Sequence, residues 1–168
     1  RPSLQLNGPV DVAVTRGGSL LVLEATRVQR FMRNGRWVAA WPDPVDSLGS
    51  LVRAWSIAVA ESGDVYVTDR EGRAIHRFRS DGRPLERFNE RGQVGGPSWR
   101  PSGVAVIEGG DVLVADAGLH ELLRFTADGR RILSAHGGRG FGAGHLNRPL
   151  DVAAAPDGTL VVADADHF

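Results

Sequence analysis

Four carboxylates recur at one fixed offset. Glu24, Asp69, Asp116 and Asp164 each stand twelve residues after a central apolar residue, Val12, Ile57, Val104 or Val152. Acids that converge in this way could hold a cation at one rim of a repeat structure. A carboxylate that opens a loop such as DREG or DAGL also accepts hydrogen bonds from the backbone amides ahead of it, and every copy needs that turn. Function usually breaks repeat symmetry, whereas architecture keeps it. The recurrence therefore assigns these carboxylates a structural role, and no metal site is expected.

Other residues invite sharper chemistry. GRGFGAG at 138–144 has the glycine density of a phosphate cradle. Such a loop must open a helix whose N-terminal amides face the anion, yet LNRPLDVA leads on into a strand pattern. A link that turns sharply between repeats explains the glycines. The five histidines are His76, His120, His136, His145 and His167, and no Ser-His-Asp order or paired-carboxylate spacing accompanies them. No catalytic residue is assigned.

The elements that position these residues follow from the repeat. The anchors Val12, Ile57, Val104 and Val152 are spaced by 45, 47 and 48 residues, and glycine falls six residues after each, at Gly18, Gly63, Gly110 and Gly158. LLVLE, VYVTD, VLVAD and LVVAD run up to the carboxylates. Three copies continue with VQRF, IHRF or LLRF and then NGR, DGR or DGR. These are short strands joined by glycine turns, so each copy reads as a four-stranded antiparallel meander with a weakly patterned outer edge strand. Four-stranded units at this period predict an all-β chain built as a β-propeller. The blades are placed at about 9–42, 54–89 and 101–136, with the first two strands of a fourth at about 149–168. LNGPVDVA at 6–13 matches LNRPLDVA at 146–153, which places the N-terminus in an inter-blade link rather than in the fourth blade. The expectation is an arc of a larger ring, with unpaired end faces that favour self-association.

The repeated Pro, Val-Ala-Val, Gly, Val-Ala-Asp, Arg-Phe and Asp-Gly-Arg, together with HGGRGFGAGHLNRP at 136–149, resemble the NHL-repeat family. The resemblance covers almost the whole chain, is closest in the third blade and implies a ring of about six blades. Among proteins with this repeat, peptidyl-hydroxyglycine amidating lyases carry zinc on histidines just before the first strands. The matching positions here are Val10, Trp55, Ser102 and Leu150. None is a good zinc ligand. His120 stands where the family often writes Asn-His, which implies a loop-packing residue.

Composition bounds the partners. The formal net charge is zero, all 20 basic residues are arginine as in the products of GC-rich genomes, and cysteine is absent. Disulfides and thiolate metal sites are thereby excluded, and no apolar run approaches membrane-spanning length. The compartment is left open, and no cofactor is expected. The second loops EATR, DREGRA and DAGLHE mix signs, where a nucleic-acid footprint needs clustered arginine. The expected function is non-catalytic recognition of a protein or small ligand on the rim formed by inter-blade links and second loops. The contacts would be residues that break the repeat: Trp55, Arg70, Arg73, Trp99 and His120. For Trp55 and Trp99 a plug between adjacent blades is the alternative. A lyase or lactonase with its catalytic residues on other blades, and RNA binding, are the alternative functions.

Overall fold

The computed structural model describes residues 5–42, 48–88 and 96–166. Strands β1 (Pro9–Val14), β2 (Leu20–Glu24), β3 (Arg27–Phe31) and β4 (Trp37–Trp41) form the first antiparallel sheet. The second holds β5 (Ala54–Val59), β6 (Val65–Asp69), β7 (Ala74–Phe78) and β8 (Pro84–Phe88), and the third β9 (Pro101–Val106), β10 (Val112–Asp116), β11 (Glu121–Phe125) and β12 (Ile132–Gly137). Strands β13 (Pro149–Ala154) and β14 (Leu160–Asp164) pair as a two-stranded sheet. Among the described residues the helical content is a single 3-10 turn at Gly96–Ser98. The fold is an all-β propeller whose first strands begin where the repeat anchors place them. Successive first strands β1, β5, β9 and β13 lie side by side around one axis. Among the described residues β1 pairs with β2 and the fourth sheet contains only β13 and β14. The expectation for the N-terminal segment lies partly outside the described residues, as do His167 and the end of the fourth blade.

The hairpins follow from turn chemistry. At all four first hairpins the glycine amide donates to the carbonyl three residues earlier, from Gly18 to Thr15, Gly63 to Ala60, Gly110 to Ile107 and Gly158 to Ala155. All four glycines have positive φ, the conformation that a side chain disfavours. In the second hairpins the Oδ1 atoms of Asn34, Asp81 and Asp128 accept hydrogen bonds from the amides of Arg36, Arg83 and Arg130, at 3.1, 3.0 and 3.1 Å. The Arg-Phe pair divides its work. Phe78 and Phe125 are buried, while Arg77 and Arg124 donate back to Asp64 and Asp111 of the first hairpins.

Alternating strand faces then build the core between blades. Leu21, Leu23 and Val28 of the first blade pack with Ile57, Val65 and Phe78 of the second. Tyr66 and Phe88 meet Val104, Val112 and Phe125 of the third, which turns Leu113, Ala115 and Leu122 toward Val152. Near the axis the Asp11 carboxylate accepts hydrogen bonds from Ser56 Oγ and the Ile57 amide, both at 2.9 Å. Outer-strand aromatics slot beneath the next blade's hairpin glycine: Trp41 packs on Gly82, and Phe88 on Gly129.

The end faces show the same positions without a neighbour. Val12 is 58% exposed, whereas its counterparts Ile57, Val104 and Val152 are each 5% exposed. On the opposite face Val161 is 61% exposed, against 1% for Leu21 and Tyr66 and 3% for Leu113. The face at Val12 is of the kind that receives a preceding blade, and the face at Val161 is of the kind that receives a following one.

Two outcomes are expected. A Cβ at Gly129 would lie 2.2 Å from the Phe88 ring at a φ of +67°, whereas Gly158, at +85°, has open space around it. Gly158→Ala should therefore cost about 1 kcal/mol from backbone strain alone, and Gly129→Ala about 2 kcal/mol or more, measured by denaturant unfolding. We also propose that the chain associates head to tail through its two end faces. Sedimentation velocity should show concentration-dependent association that Val12→Glu or Val161→Glu weakens; a monomer at every concentration, with no binding of an apolar-surface dye, would count against it.

Candidate functional site

In blades two and three the carboxylate at the end of the second strand ties the incoming inter-blade link to the loop that follows. Asp69 accepts hydrogen bonds from the amides of Val52 (2.7 Å) and Arg53 (2.8 Å) in the link and Gly72 (2.9 Å) in the loop. Asp116 does the same with Arg100 (2.8 Å) and with Gly118 (2.8 Å) and Leu119 (2.6 Å). Asp164 accepts from Asn147 at 2.6 Å, and Glu24 from Asn7, Arg27 and Gln29. Among the described residues no three of His, Asp and Glu are grouped so as to hold a metal ion.

The clamp places arginines. Arg53, Arg100 and Arg148 occupy the same position, four residues before the anchors of blades two, three and four. Their carbonyls accept hydrogen bonds from the amides that follow the carboxylates, Arg70 (3.0 Å), Ala117 (3.1 Å) and Ala165 (3.2 Å). The Arg148 amide donates to His120 Nδ1 at 3.0 Å, so His120 staples a second loop to the glycine-rich link. That link leads into β13 rather than a helix, so it lacks the N-terminal amides of a phosphate loop.

Trp55, Arg70 and Arg73 come together at this mouth. With Arg53, Glu71 and Arg100 they line a cavity of about 380 Å³. The Arg70 guanidinium carbon sits 4.7 Å from the centre of the Trp55 ring, a cation–π contact. Burial holds the Arg70 pKa below its ordinary value, and repulsion from Arg100, Arg148 and Arg53 pushes it the same way. Arg53 is paired with Glu71 at 2.8 Å and Arg148 with Asp166 at 2.9 Å. Arg70, Arg73 and Arg100 form no ion pair among the described residues. The described non-glycine residues with positive φ, Arg73, His120 and Arg148, all belong to this rim. Strain of this kind costs about 1 kcal/mol or more per residue and concentrates at functional sites.

Trp99 takes the inter-blade role that the sequence left open beside ligand contact. Trp99 presents no surface to a ligand: it is fully buried, packs edge-on against Phe125 at 6.2 Å, and plugs the seam between blades two and three. The links add Arg53, Arg100 and Arg148 to Arg70 and Arg73 of the second loop, so arginines cluster where no single loop clusters them. The recurrence of the link arginines at one offset from the anchors was the available signal. A larger cavity of about 910 Å³ touches Leu113, Leu122, Arg124 and His136. It lies against the face of blade three where, one blade earlier, β10 and β11 cover Tyr66 and Phe88.

The comparisons with known proteins bear on the fold. Residues 99–125 match the NHL repeat. Among solved structures the chain is similar to a streptogramin B lyase, at 17% identity and a TM-score of 0.69, over 91% of this chain and 47% of that one. It is similar to virginiamycin B lyase from Staphylococcus aureus at 16% and 0.70, over 93% and 48% of the two chains. The WD40 repeats of RRP9 align at 12% and 0.69, over 96% and 53%. The chain thus spans about half the length of these propellers. No curated protein matches the sequence.

Equivalent carboxylates differ in their titration. Burial would raise the Asp69 carboxyl, but the neighbouring His76, with Nε2 at 3.7 Å, and the three amides outweigh it and hold the pKa at about 2. Asp116 faces the same desolvation with Leu123 at the corresponding position, and its pKa is raised despite three amide bonds. A depressed carboxylate contributes stability that is present above its unfolded value, near 4, and is lost as pH falls toward 2. For Asp69 this amounts to about 2 kcal/mol. His76→Leu should raise the Asp69 pKa and flatten the loss of stability between pH 4 and 2, as read from carboxyl NMR titration and acid unfolding.

Proposed function

We propose that this propeller is a recognition module that binds a protein or small ligand at the mouth formed by its inter-blade links and second loops. The observation that carries the reading is the placement of Trp55 beside three arginines without ion-pair partners around one cavity. Half-buried aromatic and guanidinium groups are the residue types that dominate binding contacts. They also break the repeat: Trp55 stands where the other blades have Val10, Ser102 and Leu150, and Arg70 where they have Ala25, Ala117 and Ala165. The neighbouring folds include lyases and a WD40 protein, so the fold by itself leaves both recognition and catalysis available.

A panel of anionic, neutral and cationic peptides and metabolites, followed by NMR, tests the reading. Ligands should perturb Trp55 and Arg70 and be released unchanged. Trp55→Ala should weaken them by tenfold or more, since a tryptophan central to a contact commonly carries about 2 kcal/mol. Binding that maps to another face, or chemical turnover of a panel member, would favour a propeller enzyme instead.

A further inference from the structure

We infer that the mouth around Trp55 captures its ligand through a compact oxyanion, a carboxylate or phosphate group held between Arg70 and Arg100. This rests on the reading of the mouth as a recognition site and adds the chemistry of what is recognised.

Charge imbalance carries the argument. Five arginines, Arg53, Arg70, Arg73, Arg100 and Arg148, crowd one rim of a chain whose formal net charge is zero. Only Arg53 and Arg148 have carboxylate partners among the described residues, in Glu71 and Asp166. The remaining three have no ion pair among the described residues: Glu71 in the same lining is paired with Arg53, and Asp116, which attracts Arg70 through space, is fully buried and held, like Asp69, by backbone amides. A guanidinium offers a planar fork of donors that matches carboxylate and phosphate oxygens in pairs. An oxyanion between Arg70 and Arg100 would relieve their mutual repulsion, a gain that a neutral ligand cannot provide.

Geometry makes the site preorganised. Trp55 supports the Arg70 side chain from one face, and the Asp69 and Asp116 clamps fix the backbone of Arg53 and Arg100. Less ordering is then left to be done on binding. A single-stranded nucleic acid calls for a charged groove that tracks its backbone and free aromatic faces for its bases. Here the cavity lining holds a single aromatic ring, Trp55, and one of its faces already carries Arg70.

Inorganic phosphate and citrate are the probes, titrated against sodium chloride at matched ionic strength. Both should shift the side-chain resonances of Arg70, Arg73 and Arg100 and the Trp55 indole, and saturate. Arg70→Gln and Arg100→Gln should each weaken binding about tenfold or more, with the thermal midpoint unchanged, while Arg79→Gln on the distant β7–β8 hairpin leaves it intact. The relative affinities of the two probes distinguish a phosphate-bearing from a carboxylate-bearing ligand. An equal response to chloride, or equal binding by Arg70→Gln, overturns the inference. If a neutral probe perturbs the mouth and neither oxyanion does, recognition stands and the oxyanion falls; if no probe perturbs it, both fall. Tight binding of a single-stranded RNA with a steep salt dependence would overturn the compact-oxyanion reading in favour of nucleic acid.

Discussion

In blades two and three the buried aspartate at the end of the second strand is the contact on which the rest of the structure depends. It joins three stretches of chain that the sheet hydrogen bonds leave apart: the link entering the blade, the end of the second strand and the loop leading to the third. Asp69 and Asp116 are fully buried, and each accepts three backbone amides. A buried amide without a partner costs about 1–3 kcal/mol, so one side chain satisfies donors whose combined cost would open the rim. Irregular chain can therefore pass close to the axis while remaining ordered.

The clamp also explains why a structural residue and the proposed binding surface occupy the same place. By holding the link backbone, Asp69 and Asp116 set where the Arg53 and Arg100 side chains begin. The carboxylate lies beneath and is consumed by amides, while the guanidinium lies above. Negative charge is spent inside the loop and positive charge is left at its surface. Upon this repeated ring of arginines the second blade adds Trp55, Arg70 and Arg73, which the other blades do not repeat. Shared architecture thus supplies the charge, and one blade supplies the asymmetry that a ligand would read.

Packing shows the same division between repeated frame and local departure. The third-strand position held by Gln29, His76 and Leu123 in the three full blades is buried in each case, yet its chemistry differs. Gln29 donates to Glu24 and accepts from the Trp37 indole, whereas His76 lies beside Asp69. Leu123 instead joins the apolar seam with Val112 and Phe125. Two carboxylates with the same backbone role consequently titrate in opposite directions, because the residue that faces each of them is set one strand away.

The sequence alone determined the frame. The anchor-to-glycine and anchor-to-carboxylate offsets located the four first strands, since strand alternation and glycine turns are governed by neighbours a few residues apart. It also marked Trp55, Arg70 and Arg73 as departures from the repeat. Tertiary structure decided what those residues meet. Trp99 and Arg100 are adjacent in the chain, but the seam between blades takes the indole into the core and the Asp116 clamp leaves the guanidinium on the rim. The arginine cluster joins residues from three links spaced by nearly a whole repeat, and the difference between Asp69 and Asp116 depends on a partner across the sheet. Such contacts depend on which segments the ring brings together, and periodicity along the chain carries that only after the blades have packed around one axis.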